Sequence, residues 1–204
     1  MNSPSPIVLA MTGASGSAYG LRLLEVLLGQ GREVWLLISK AGRMVLKLEA
    51  DLDVPARPEE MRAFFSGLYD APPERLTVFG REDWLAPIAS GSHPAGSMVV
   101  CPCTTGTLAA IAHGSSDDLL ERAADVMLKE RRRLILVLRE TPLSVIHLQN
   151  MLTVAQAGAT VLPANAGFYH RPQTVADVVD FVVARVLDHL EVEHDLLPRW
   201  GLEE

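Results

Sequence analysis

Arg139 and Glu140 stand at the end of an apolar run, Leu134 to Leu138, and lead into Thr141-Pro142. The run reads as a buried parallel strand. Ligands of open α/β sheets sit outside the carboxyl ends of the strands. An arginine and a carboxylate at that place suit work on an anionic ligand. Pro142 biases Thr141 toward an extended conformation, so the strand cannot pass straight into a helix. Two other segments point to the same kind of ligand. Thr12-Gly13-Ala14-Ser15-Gly16 follows a first apolar run and precedes a helix. Glycine lets the backbone approach a phosphate, and helix N-terminal amides attract anions. Ser15 and Ser17 add hydroxyls. A plain tight turn is the alternative, and the spacing is not the dinucleotide G-x-G-x-x-G. Arg185 follows Val178, Phe181 and Val182 by seven, four and three residues, which predicts a place on the buried stripe of the last helix. Arginine is rarely buried without a partner. A phosphate would satisfy its fork bidentately, and an internal carboxylate or snorkelling to solvent would serve as well.

Further candidates lie at other predicted strand ends. Ser39 and Arg43 follow the second strand, where a serine is equally a helix cap. Thr104, Thr105 and Thr107 surround Gly106 after a third. Arg122 and Lys129 are seven apart and share a helix face, which reads as a solvated face or an anion contact. Tyr169 lies in the loop after the last strand and can donate to a phosphate oxygen. The six histidines, His93, His113, His147, His170, His189 and His194, have no metal spacing, and no metal site is expected. Cys101 and Cys103 should point to opposite faces of a strand end as ordinary buried thiols.

The elements that must position these groups alternate. Strands are predicted at Ile7–Met11, Glu33–Ile38, Met98–Val100, Leu134–Leu138 and Thr160–Leu162. Helices are predicted at Ala18–Leu28, Gly42–Glu49, Leu108–Ala112, Leu119–Glu130, Leu143–Ala157 and Thr174–Leu190. This rhythm predicts one α/β domain over residues 1–204, a parallel sheet with right-handed crossovers and helices on both faces. Residues 51 to 96 interrupt it with six prolines, one helix (Glu59–Tyr69) and a short strand near Thr77–Phe79. A connection of that length is usually functional or an interface. Hydrophobic residues make up 49% of the 204, rich enough to predict burial against further copies of the chain. The net charge of -7 argues against nucleic acid. The apolar run Ile7–Met11 is too short for a signal peptide or a membrane span, which predicts a cytoplasmic protein.

Taken together, the motifs resemble the flavin prenyltransferase family (the UbiX family, formerly described as aromatic-acid or 3-polyprenyl-4-hydroxybenzoate decarboxylases). The resemblance covers nearly the whole chain. It rests on Thr12-Gly13-Ala14-Ser15-Gly16, Ile88-Ala89-Ser90-Gly91-Ser92, Val100-Cys101-Pro102-Cys103 with its threonines, Arg139-Glu140-Thr141-Pro142 and Gly167-Phe168-Tyr169. It implies a three-layer Rossmann-like (flavodoxin-like) fold that binds FMN between subunits of a homo-oligomer, commonly a dodecamer. The activity implied is transfer of a dimethylallyl group from dimethylallyl monophosphate to N5 and C6 of reduced FMN, without a metal. The product, prenylated FMN, serves a UbiD-type decarboxylase in ubiquinone biosynthesis or aromatic-acid metabolism.

By the same resemblance, Gly13, Ala14, Ser15, Ser39, Thr104, Thr105, Gly106, Thr107 and Arg139 are FMN contacts. Ser90, Arg122, Lys129, Arg139, Glu140, Tyr169 and Arg185 form the prenyl-phosphate pocket, with Trp84 and Trp200 as its aromatic walls. Ser15, Glu49, Glu140 and Tyr169 are the catalytic candidates, Ser15 and Glu49 for proton movement around the flavin. The reading depends on Arg122, Lys129 and Arg185 gathering around a second anion beside the flavin. Two rivals remain. A flavin-dependent cysteine decarboxylase uses a catalytic histidine near the first helix, and this chain has none before His93. A non-catalytic flavin carrier has no use for the surplus cations.

Overall fold

The strand β1 (Ile7–Met11) is five apolar residues long and buried on both sides, as a central parallel strand must be. The structure, a computed structural model, describes residues 5–92 and 95–198. His93, Arg199 and Trp200 lie outside the described residues, and so does the proposed role of Trp200.

After β1 come α1 (Ser17–Gly29), β2 (Val34–Ile38), α2 (Lys40–Ala50), α3 (Pro58–Leu68), β3 (Leu76–Val78) and β4 (Ser97–Cys103). They are followed by α4 (Thr105–His113), α5 (Leu119–Lys129), β5 (Arg133–Leu138), α6 (Val145–Gln156), β6 (Thr160–Pro163) and α7 (Val175–Leu190). All strand pairs are parallel, in the order β3-β2-β1-β4-β5-β6. This is the doubly wound arrangement, and its topological switch lies between β1 and β4.

Strand alternation builds two cores. Ile7, Leu9 and Met11 face one side with Leu36, Val99, Ile135 and Val137, under α1, α3 and α7. Val8 and Ala10 face the other with Met98, Val100, Leu134 and Leu136, under α4 and α5. Cys101 joins the first core and Cys103 the second; residues two apart in a regular strand would share a face, and it is the register shift between Val100 and Cys103 that sends these thiols apart. Burial pushes both thiols up, that of Cys103 to about 12.

The helix α7 crosses back over the sheet. It follows β6 at one edge and packs against α1 through Val182, Val183, Val186 and Leu187. Arg22 on α1 clamps the pair: its Nε donates to Asp180 Oδ1 at 2.7 Å. Gly20 lets α1 come down on β4, since a Cβ there would stand 2.5 Å from the Cys101 carbonyl oxygen.

The proline-rich connection is partly core. In α3, Met61 and Phe65 are buried, and β3 extends the sheet. The rest is turn, with Trp84 half-exposed and Leu85 fully exposed. A second uncovered apolar surface lies on α6, where Val145, Ile146, Leu148 and Leu152 are exposed together with Leu143. Among the described residues no helix is long and apolar enough to cross a membrane.

Candidate active site

The strand ends at the switch point are held together by Thr12. Its hydroxyl donates to the Pro102 carbonyl at 2.7 Å and accepts from the Thr104 amide at 2.9 Å. The side chain is 3% exposed, so this bridge ties the end of β1 to the start of α4. No local pattern in the sequence marks Thr12 for this role, because its partners lie 90 and 92 residues away.

Beside this bridge a cleft of about 710 Å³ opens at the carboxyl edge of the sheet. Ser39, Lys40, Ala41 and Met44 line one wall, Gly106 and Thr107 another, and Arg81, Asp118, Leu120 and Glu121 close it. Ser39 does double duty: it caps α2 by accepting from the Gly42 amide at 2.9 Å, and it faces the cleft. Thr104 caps α4 by accepting from the Thr107 amide at 3.0 Å. At Gly106 a Cβ would meet nothing closer than 3.8 Å, so the backbone borders open space. The dimensions and the mixed lining, with the Ser39 and Thr107 hydroxyls beside apolar Ala41, Met44 and Leu120, suit a flat ring system with a polar chain. Arg81 lay outside the sequence expectations. It donates to Asp118 Oδ2 at 2.8 Å and so fixes the cap of α5, whose Glu121 amide bonds the other oxygen at 2.9 Å. It sits in the irregular connection, where no periodicity marks it.

The glycine-rich turn differs from its expected use. The amides of Gly16 and Ser17 and the Ser17 hydroxyl all donate to the Glu49 carboxylate, at 2.8 to 3.1 Å. The anion at this helix N-terminus is therefore a carboxylate of the chain itself, and these two amides are not presented to a phosphate. Burial opposes ionisation of Glu49, but bonds from Ser15, Ser17 and the turn amides outweigh it and hold its carboxyl below the usual range. Gly13 serves packing, because a Cβ there would stand 2.5 Å from Ala41 Cβ on α2. Arg139 reaches across from β5 and donates from Nε to the Ser15 carbonyl at 3.1 Å. Arg139 and Glu140 line a small cavity of about 150 Å³ with Thr141, Leu143, Met151 and Asn165.

The remaining cations do not gather within one chain. Arg122 donates from Nε to the Ala89 carbonyl at 3.0 Å and pairs with Asp125 at 2.8 Å. That bond puts Ser90 beside α5. Lys129 pairs with Glu130, which itself lies over Gly91. Arg185 is not on the buried stripe. Val179, Val182, Val183, Ala184, Val186, Leu187 and Leu190 are the buried positions of α7, while Val178 and Phe181 are only half-buried. The Arg185 side chain is 52% exposed and pairs with Asp188 at 2.6 Å. Because α5 covers one face of the sheet and α7 the other, Arg122 and Lys129 stand on the opposite side from Arg185. The expected cluster is thus corrected: one copy of the chain cannot close it. Tyr169 does join Arg185, both lining a cleft of about 550 Å³ with His170, Phe181, Asp188 and His194. Gly167 lies close beneath the Phe181 ring, which a Cβ there would meet at 2.3 Å and would have to displace.

Known proteins decide the family. The Flavoprotein family model matches residues 1–187. The flavin prenyltransferase UbiX of Pseudomonas aeruginosa is 56% identical, covering 98% of this chain and 96% of that protein. The chain belongs to the flavin prenyltransferase family. The member from Methanothermobacter thermautotrophicus is 45% identical over 95% of this chain and 94% of its own length. A UbiX protein (PadA1) solved with FMN and dimethylallyl pyrophosphate superposes with a TM-score of 0.86 at 43% identity, covering 98% of this chain and all of that one. A dodecameric FMN-dependent UbiX-like decarboxylase from Escherichia coli O157:H7 gives 0.83 at 40% identity, covering 96% and 98%. A pantothenoylcysteine-type (PPC) decarboxylase shares only the fold, at 18% identity and a TM-score of 0.63.

Proposed function

We propose that this flavin prenyltransferase joins a dimethylallyl group, supplied as the phosphate, to reduced FMN. The observation that carries the reading is the full-length match to the solved relative that holds both FMN and dimethylallyl pyrophosphate. The geometry fits it. Ser39, Gly106 and Thr107 border the switch-point cleft, where ligands of doubly wound sheets bind, and Gly106 leaves room for a ring against the backbone. Thr104, Thr105, Gly13, Ala14, Ser15 and Arg139 stand at the neighbouring strand ends and complete the FMN contacts.

Reduced FMN supplies the nucleophilic N5 and C6 atoms. N5 would be alkylated, losing its proton, as the allylic C–O bond breaks and inorganic phosphate departs. Ring closure would follow, with the prenyl double bond taking up a proton as its carbon bonds to C6 and C6 giving one up. Arg122, Lys129, Arg139 and Arg185 stabilise the charge that develops on the leaving phosphate. Trp84 offers an aromatic face to the allylic fragment. Tyr169 donates to a phosphate oxygen, and Glu140 exchanges a proton with the departing phosphate. Glu49, held by Ser15, Ser17 and the turn amides, accepts the proton released at the flavin side.

Arg122 and Arg185 serve one phosphate only if two copies meet, one presenting the α5 face and the other the α7 face. The uncovered apolar side chains of α6 and Leu85 favour such assembly. A related protein of 40% identity is dodecameric, and a dodecamer is the expected form here. The prenylated flavin would pass to a UbiD-type decarboxylase in the cytoplasm.

Anaerobic incubation with reduced FMN and dimethylallyl monophosphate tests the reading. The expected product is FMN heavier by one prenyl unit. Unchanged FMN, on protein that binds flavin, would contradict it. The diphosphate run in parallel settles which phosphate is preferred.

A further inference from the structure

We propose that Asp188 and His194 form a positioning relay that presents Arg185 to the substrate phosphate; this rests on the reading of Arg185 as a phosphate contact. The helix α7 ends at Leu190, and Glu191 takes a left-handed conformation (φ 57°). The Glu191 and Val192 amides then bond back to the Asp188 and Leu187 carbonyls at 3.1 and 3.0 Å. This reversal, anchored by buried Val192, folds the following segment over the last turns of α7.

His194 arrives from that segment with a side chain only 7% exposed. Its Nε2 lies 3.2 Å from Asp188 Oδ1, and its Nδ1 is buried with no partner among the described residues. Asp188 is the one polar partner that the described residues give this imidazole. The other oxygen of Asp188, Oδ2, accepts from Arg185 Nη1 at 2.6 Å. The carboxylate is thereby held at both oxygens, and it fixes one nitrogen of the guanidinium. The edge formed by Nε and Nη2 is then the bidentate face for a phosphate. All three residues and Tyr169 border the same cleft of about 550 Å³. An exposed arginine alone would sample many rotamers. Ordering it beforehand spares that entropy on binding.

The test compares Asp188→Ala, Asp188→Asn, His194→Ala and His194→Gln with Arg185→Ala. Readouts are KM and kcat for prenyl transfer from dimethylallyl monophosphate, and FMN affinity by flavin fluorescence quenching. Asp188→Ala and His194→Ala should lower kcat/KM for prenyl transfer about tenfold, less than Arg185→Ala does, with FMN affinity within about twofold, since one charge-assisted hydrogen bond is lost. Asp188→Asn keeps the shape and should still lower kcat/KM several-fold. His194→Gln, which keeps a donor toward Asp188, should recover most of the loss. Adding Asp188→Ala to Arg185→Ala should change nothing further. Unchanged kcat/KM in both Asp188 variants, or a His194→Gln enzyme as impaired as His194→Ala, overturns the relay. If Arg185→Ala itself leaves both kcat and KM unchanged, the underlying reading of Arg185 fails instead.

Discussion

The switch-point cleft and the cationic groups are built by different rules. The cleft is lined by residues of one chain. Thr12 bridges two strand ends, Ser39 and Thr104 cap the helices that form its walls, and Arg81 fixes the cap of the next helix. The cations at 122, 129 and 185 are each held by a carboxylate one to three residues away, on opposite faces of the sheet. Local sequence therefore makes the cleft proposed for the flavin, while the proposed phosphate contacts stand apart within one chain. Parking a cation on a nearby carboxylate keeps the free surface neutral. An incoming phosphate, with higher charge and three oxygens, can compete for the same donors.

The contrast is sharpest for Arg122→Ala and Arg185→Ala. Each should slow prenyl transfer by about 10²–10³-fold, the usual cost of losing one charge-stabilising donor. FMN affinity, measured by fluorescence quenching, should stay within about twofold. A large loss of FMN binding would erase the division between the two regions.

Gly20→Val attacks the scaffold beneath the cleft. A side chain there must displace the Cys101 carbonyl, 2.5 Å from the first added carbon. It should cost roughly 3 kcal/mol of stability, as overpacking against backbone does, read as a lowered urea midpoint. Gly106→Val tests the cleft without the scaffold. Its Cβ meets nothing within 3.4 Å, so folding should survive while FMN affinity falls about tenfold through lost ring contact. Equal FMN affinity would place the flavin elsewhere.

The smallest expected effect on stability is at Glu49. Its carboxyl pKa is held below the ordinary value, so the stabilisation it gives is present above the unfolded pKa and is lost as pH falls through the folded one. Glu49→Gln should therefore be less stable than the parent near neutral pH and converge with it in acid. Parallel stability curves down to low pH would show that the carboxylate contributes no such linkage.

Much of the cleft was legible because its signals are local. The helix starts at Ser39 and Thr104 and the apolar run Ile7–Met11 each declare themselves within a few residues. Arg185 was misplaced for an equally physical reason. Its hydrophobic neighbours at 178, 181 and 182 lie along one edge of the stripe, whose centre runs through Val179, Val183 and Val186. The i,i+3 partner Asp188 was readable from spacing alone and outweighs that weak stripe signal. The division of Arg122 and Arg185 between faces could not be read locally. It follows from the strand order and from α7 crossing back onto α1, both long-range facts. Glu49 on the turn amides, 32 and 33 residues away, is another such contact.

Subunit complementation tests the central claim most directly. Arg122→Ala and Arg185→Ala chains, each carrying a different tag, are co-expressed, and hetero-oligomers are isolated by both tags. If one copy gives the α5 face and another the α7 face, random assortment restores about a quarter of the sites and a matching share of prenyl transfer. Hetero-oligomers no more active than either variant alone would contradict a site shared between copies.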